Sequence, residues 1–232
     1  MENASQGRWQ LDIQFLEQGD IYFFYKPKKG IEKTSGRNDV SRFYFVLDPA
    51  GTSLPRYIVM GNKKMPDIHD GDQSTWGFVQ IVGGRGFKTF KKLTAVREKT
   101  ASRPAGEGIY LLASHRTHTH LLYSLELPMH PGVVQKAFNI KSEANYIFLE
   151  RTVEKSPNSP EEPFSNFSPV KPEDLDKRGT EVLLVGVGSD IGRLGITSQK
   201  DFETLQTADI FTKLEVDKDR HPTKPLISGD WE

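Results

Sequence analysis

Short apolar runs, rich in aromatic and β-branched residues, recur along the first two thirds of this chain. Residues of these types favour strands, and turns that contain proline or glycine separate the runs. The pattern therefore predicts strands over residues 21–27, 41–47, 56–60, 76–82, 109–113, 121–127 and 145–149. The short connections indicate an antiparallel meander, and the polar segment between residues 113 and 121 predicts a hairpin.

Helical patterns are weak and occur in few places. Short helices are predicted over residues 133–138 and 201–209. Between residues 87 and 97 apolar side chains recur about every third position, which suits an amphipathic helix, but the alternation from Thr94 onward suits a strand equally well. Residues 181–188 form a nearly continuous apolar run, which is typical of a buried strand.

Together these elements predict an α+β fold. Its main domain, residues 8–153, is expected to be a mainly antiparallel, strongly twisted sheet, either open or partly closed into a barrel, with a few short helices. Five prolines interrupt residues 154–180, which predicts a connector. Residues 181–232 are then expected to form a C-terminal strand–helix appendage that packs on the main domain and ends in a charged tail.

The 232 residues contain no cysteine, which removes several kinds of chemistry. Disulfide scaffolds, thiolate metal sites, iron–sulfur clusters and cysteine nucleophiles all need a sulfur atom that the chain lacks. The 14 Phe, 7 Tyr and 3 Trp residues can bury a sizeable core. Because the sequence has neither a run of about 18 apolar residues nor an apolar leader, it predicts a cytoplasmic protein without a membrane-spanning helix.

Charge is segregated along the chain, although the totals of 31 basic and 31 acidic side chains are equal. From Lys26 to Arg103 there are 16 basic and 7 acidic residues, a net charge of +9, so the remainder carries −9. A concentrated basic surface attracts phosphate backbones and other polyanions. The densest cluster predicts an anion-binding face made of Arg85, Lys88, Lys91, Lys92, Arg97 and Lys99. The alternative is that the two halves fold against each other and their charges pair.

Three of the six histidines lie close together, at His115, His118 and His120. Imidazole nitrogen is a common metal ligand, and residues two apart point to the same side of a strand. The three histidines are therefore a candidate site for one metal ion, although their spacing matches no established metal motif. The alternative is a polar hairpin turn, and no other cofactor is predicted.

Arg103, Glu107 and His118 are the alternative catalytic candidates. Gly106 and Gly108 flank Glu107 directly before the hairpin, and glycine permits a close approach of the backbone to a ligand. An arginine at this point can clamp a phosphate or carboxylate, and a glutamate beside a histidine can move protons. The alternative is that the glycines shape a turn and Arg103 pairs with an acid of the C-terminal half.

These observations favour a non-catalytic binding protein whose basic face engages an anionic macromolecule, either nucleic acid, the first candidate, or an acidic protein. One alternative is an enzyme that uses metal or acid–base chemistry at the histidine hairpin. Another is a structural subunit of a larger assembly, including a homo-oligomer, in which surface aromatic residues form the interface. The fold class does not choose among them, because function resides in a site.

Overall fold

Nine strands form one sheet in the part of the chain that the computed structural model describes. The described residues are 13–52, 54–69, 73–83, 101–152, 166–189, 208–214, 216–218 and 221–232. The strands are β1 (Ile13–Pro27), β2 (Val40–Pro49), β3 (Arg56–Met60), β4 (Ser74–Val82), β5 (Arg103–His115), β6 (His118–Leu127), β7 (Glu143–Arg151), β8 (Phe167–Pro169) and β9 (Glu181–Gly188). All neighbouring pairs are antiparallel.

The sheet closes into an eight-stranded barrel. The order around the sheet is β6-β5-β1-β2-β3-β4-β9-β7-β8, and an additional pairing of β6 with β7 completes the ring. The short strand β8 pairs with the last three residues of β7 and lies outside the ring. The structure thus confirms the predicted antiparallel, β-rich sheet, and of the two expected forms, open or closed, the sheet takes the closed one.

Strand β9 differs from the prediction, which placed it in a C-terminal appendage. In the structure β9 is a wall of the barrel, because it pairs with β4 on one side and with β7 on the other. Its side chains Val182 and Leu184 are fully buried in the interior. The sheet closes only because this strand returns to it from a distant part of the sequence.

Large aromatic side chains fill the interior of the barrel. Because side chains alternate between the two faces of a strand, Ile21, Phe23 and Tyr25 of β1 point inward. The centroid of the Phe23 ring lies 5.1 Å from that of Tyr123 and 6.3 Å from that of Phe45. The described interior is therefore a packed core.

Short helices lie between strands and in the C-terminal segment after β9. Those in the described residues are a 3-10 turn (Arg37–Asp39), α1 (Val133–Ala137), α2 (Pro172–Leu175), α3 (Asp209–Thr212) and α4 (Lys224–Ile227). Apart from residues 208 and 209, the helix predicted over 201–209 lies outside the described residues, as does the segment 87–97.

The two ends of the barrel are distinct. Phe138, directly after α1, stacks on Phe43 at 4.9 Å, and Trp231 packs edge-on against it at 5.7 Å. These rings close one end of the barrel, the α1 end. The turn between β5 and β6 marks the opposite end, the hairpin end.

The outer surface of β1, β2 and β3 is also apolar, and we call it the covered face. The outward side chains Tyr22, Phe24, Tyr44 and Tyr57 are at most 1% exposed. The residues that cluster with them from the C-terminal part of the chain are Ala208, Ile210, Leu214, Val216 and Leu226. Burial on both faces explains why these strands contain continuous apolar runs.

Candidate functional site

The basic cluster predicted to bind anions lies outside the described residues. Its members are Arg85, Lys88, Lys91, Lys92, Arg97 and Lys99. The anion-binding face therefore stays a prediction. Two other arginines of the basic half, Arg56 and Arg103, are described, and both are buried in ion pairs with carboxylates from outside that half.

Arg56 joins three parts of the chain at the hairpin end. Its side chain is buried; its Nη1 donates to Glu17 at 2.6 Å and its Nε donates to Asp176 at 2.8 Å. The hydroxyl of Tyr110 donates to the same Glu17 oxygen at 2.6 Å. The guanidinium thus fastens β1, β3 and the residue after α2 to one another.

Arg103, a catalytic candidate, is buried at the α1 end and its donors are engaged by the protein itself. Its Nε and Nη2 donate to the two carboxylate oxygens of Glu232 at 2.5 and 2.9 Å. Its Nη1 donates to the carbonyl of Ala101 and its Nη2 to that of Glu32, each at 2.6 Å. This bidentate pair attaches the C-terminal residues to the barrel.

Glu107, the second catalytic candidate, is 1% exposed and binds the start of α3. Its carboxylate accepts hydrogen bonds from the backbone N–H groups of Asp209 at 2.6 Å and Ile210 at 3.1 Å. The first N–H groups of a helix have no partner within the helix, so this carboxylate satisfies two of them. Glu107 therefore fastens part of the segment that lies on the covered face.

The structure does not bring the three catalytic candidates together. Glu107 pairs with Leu127 near one end of the β5–β6 ladder, whereas His118 pairs with His115 at the other end. Eight positions along β5 separate Glu107 from His115, roughly 25 Å of extended chain. A proton cannot pass directly between groups so far apart.

The hairpin does gather the three histidines on one side. His115 is directly opposite His118, and residues that face each other in an antiparallel pair share a face, as do His118 and His120 along β6. The rings of His115 and His120 are 6.1 Å apart. His120 Nδ1 donates to the amide oxygen of Asn145 at 2.8 Å.

Burial makes His120 a weaker base. Desolvation lowers the pKa of His120 below its ordinary value of 6.5, the hydrogen bond to Asn145 opposes this change, and the neighbouring His115 and His118 lower the pKa further. The buried Nε2 of His115 has no hydrogen-bond partner among the described residues. Over the same residues no three His, Asp or Glu side chains are grouped as metal ligands, and the metal site stays a prediction.

A different feature is prominent on the outer surface of β4. Trp76 and Phe78 point outward and are each 42% exposed. Phe167 of β8 packs on Trp76, with ring centroids 5.0 Å apart. Between the two exposed residues, Gly77 faces the crowded interior, where an added Cβ would lie 2.8 Å from the carbonyl oxygen of Val59. Glycine is therefore required at this position. Because successive side chains of a strand point to opposite faces, the neighbours Trp76 and Phe78 are directed outward.

One ion pair lies beside these rings. Arg151 Nη1 is 2.9 Å from Glu181 Oε2, and both side chains are 51% exposed. The guanidinium carbon of Arg151 also lies 6.0 Å from the ring centroid of Trp76, within the range of a cation–π contact. We call the set Trp76, Phe78, Phe167, Arg151 and Glu181 the aromatic face.

Two adjoining grooves run along the aromatic face. One has a volume of about 450 Å³ and is lined by Trp76, Phe78 and the ion pair together with the backbone of Gly61, Gly77 and Gly179. The other, of about 400 Å³, shares Arg151, Gly179 and Glu181 with it and extends over Glu150. Burial, and then the neighbouring Asp174, raises the pKa of the Glu150 carboxyl. The grooves together offer an elongated surface.

The apolar run over residues 76–82 predicted a strand, and neither Trp76 nor Phe78 was singled out. The signal was present in the alternation, since a period of two puts Gly77 and Val79 on one face and the two aromatic residues on the other. Val79 is fully buried, as that alternation requires. The alternation alone does not indicate that the outward side chains of Trp76 and Phe78 stay 42% exposed.

In the described part of the chain we find no helix whose length and apolar character would let it span a membrane. Comparison of the sequence with protein-family profiles and curated proteins, and of the structure with solved structures, gives no match.

Proposed function

We propose that this protein is a non-catalytic interaction module that docks a protein partner through the aromatic face. The observation that carries the proposal is the exposure of Trp76 and Phe78 side by side, with the guanidinium of Arg151 against the indole. Tryptophan, tyrosine and arginine dominate the binding energy of protein interfaces. Exposed, contiguous aromatic surface is typical of sites that another molecule covers.

The charges of the aromatic face favour a protein over nucleic acid as its partner. The residues that line the two grooves include one cation, Arg151, and two carboxylates, Glu150 and Glu181. A phosphate backbone is attracted by an excess of positive charge, which these grooves lack. An extended peptide or a flat protein surface instead needs apolar contact area with a mixed polar rim.

Selection from a displayed library of random peptides tests the proposal. We expect the wild-type chain to enrich peptides that contain apolar residues, and Trp76→Ala to weaken their binding about 30-fold, as for a central interface residue. Phe15→Ala is the matched control, because Phe15 is 64% exposed but lies on β1 at the hairpin end. Its peptide affinity should equal that of the wild type.

Two results would overturn the proposal. One is the absence of any peptide whose binding depends on Trp76. The other is tight, salt-dependent binding of single-stranded DNA or RNA that Trp76→Ala abolishes, which would assign the aromatic face to base stacking. Nucleic-acid binding that is lost only on substitution of the cluster between Arg85 and Lys99 would support the separate anion-binding prediction. The docking proposal would then still stand or fall on whether peptide binding depends on Trp76.

A further inference from the structure

We infer that the partner of the aromatic face is a second copy of this chain, bound through a two-fold symmetric interface. The inference rests on the proposed function and names its partner. It starts from the ion pair between Arg151 and Glu181, which lies next to Trp76 and leaves about half of each charged side chain exposed. A half-exposed pair of this kind can exchange partners with an identical pair on a second copy.

The geometry of a two-fold axis makes the aromatic face complementary to itself. An axis that lies in the interface plane and crosses the direction from Arg151 to Glu181 at right angles places each guanidinium against the carboxylate of the other copy. The two copies then contribute two crossed ion pairs. A partner with one sign of charge would leave either Arg151 or Glu181 without a counterpart, which disfavours binding.

The apolar part of the aromatic face also suits a second copy. Trp76 and Phe78 of β4 are each 42% exposed, whereas Leu183 of β9, directly opposite Trp76, is 2% exposed, so the two aromatic rings supply the apolar contact. The same two rings on a second copy provide a surface of matching composition, and contacts between aromatic rings add to the energy of an interface.

Charge reversal combined with mixing tests this arrangement. In the variant Arg151→Glu each symmetric contact joins two glutamates, and in Glu181→Arg it joins two arginines, so each variant alone should self-associate at least about tenfold more weakly than the wild type. An equimolar mixture should associate again, because the glutamate introduced in one variant then meets the arginine introduced in the other, and the native pair forms at the second contact. Sedimentation equilibrium over a wide range of protein concentration measures all three samples.

Two controls accompany the mixing experiment. Lys28→Glu reverses an exposed charge in the connection between β1 and β2 and should leave self-association unchanged. Trp76→Ala should weaken self-association about 30-fold, as expected for a central aromatic residue. Circular dichroism melting of every variant establishes that the barrel is folded, which is expected because the substituted side chains are exposed.

The outcomes separate this inference from the proposed function. A wild-type chain that stays monomeric, or a dimer that Trp76→Ala and charge reversal do not affect, overturns the two-fold interface. If such a chain still binds displayed peptides through Trp76, the interaction module stands and only its partner is misassigned. Loss of both properties overturns both proposals. Restored association in the mixture supports the two-fold interface when Lys28→Glu, which has the same net charge as Arg151→Glu, leaves self-association unchanged, because a general effect of net charge would weaken both variants alike.

Discussion

On the outer surface of β1 the aromatic residues Tyr22 and Phe24 are fully buried, whereas on the outer surface of β4 the aromatic residues Trp76 and Phe78 are each 42% exposed. All four belong to one barrel and stand on equivalent sides of their strands. Residue type therefore does not explain the difference. The covered face is buried because the C-terminal part of the chain packs there, and the aromatic face has no comparable cover among the described residues.

The cover is attached by directional polar contacts. Glu107 binds two N–H groups of α3, and the ammonium group of Lys213 pairs with Asp20 of β1 at 2.7 Å and with Asp209. These contacts fix where the covering segment lies, so that the covered face is part of the fold. The aromatic face instead carries a half-exposed ion pair whose members can reorient to meet a partner.

The largest contrast is expected between Phe24→Ala and Phe78→Ala, which remove the same ring from the two outer faces. Phe24 stacks on Tyr44 at 5.3 Å and is fully buried, so its loss leaves a cavity. We expect the free energy of unfolding to fall by about 3–5 kcal/mol for Phe24→Ala and by less than about 1 kcal/mol for Phe78→Ala. Urea denaturation at low protein concentration measures both, and equal losses would contradict the contrast.

A smaller loss is expected on removal of the polar attachment at Glu107. The variant Glu107→Ala leaves two N–H groups of α3, the buried one of Ile210 and the partly buried one of Asp209, without an acceptor, which should cost about 2 kcal/mol of unfolding free energy. Amide exchange at residues 208–214 should accelerate more than exchange in β2, because the covering segment loosens first.

Glu107→Gln is the control for this attachment, because its amide oxygen still accepts one hydrogen bond and should retain part of the stability. Exchange at residues 208–214 that stays at the wild-type rate in Glu107→Ala would show that apolar packing alone holds the cover.

The strands were predictable from the sequence, whereas the closure of the barrel was not. Aromatic and β-branched runs such as residues 43–47 mark strands by local propensity. Closure depends on β9, which joins β4 and β7 although 29 residues separate the end of β7 at Arg151 from its start at Glu181. Local patterns carry no information on such a pairing, since it is decided by which surfaces bury each other.

The candidate site shows the same limit. The runs containing Phe24 and Phe78 are both rich in aromatic residues, and the position of the distant C-terminal segment decides which of their outer faces is buried. Arg103 and Glu107 were proposed as catalytic candidates in a glycine-containing segment before the hairpin, whereas in the structure both lie in β5, and Arg103 pairs with an acid of the C-terminal half, as the alternative interpretation had it. Their partners, Glu232 and the start of α3, are more than 100 positions away along the chain, so spacing could not reveal that they hold the fold together.

A more modest effect is expected from pH at His120, on the outer surface of β6. The lowered pKa of His120 means that the unfolded chain binds a proton more readily than the folded chain once the pH falls below about 6.5. Stability contributed by the neutral imidazole is therefore complete above that pH and is lost as the pH falls through the folded pKa.

The variant His120→Gln tests this pH dependence. Its unfolding free energy is compared with that of the wild type at pH 7.5 and at pH 5, values that lie roughly one unit or more from 6.5. We expect this difference to change with pH, with the wild type losing more stability in acid. His118→Gln replaces an exposed histidine of the same cluster and should change this dependence only slightly, because His118 has the smallest of the effects that lower the pKa of His120. A pH dependence that survives intact in His120→Gln would assign it to other groups.

The smallest effect is expected for the ion pair at the centre of the aromatic face. A double-mutant cycle with Arg151→Gln and Glu181→Gln should give a coupling of about 0.2–1 kcal/mol in the free energy of unfolding, because both side chains are half exposed and added salt screens them. A coupling well above this range would mean that the pair belongs to the fold, as the buried pair of Arg103 with Glu232 does. If the coupling in the monomer is small and charge reversal at the same two residues strongly weakens self-association, the ion pair acts in the interface and contributes little to the fold.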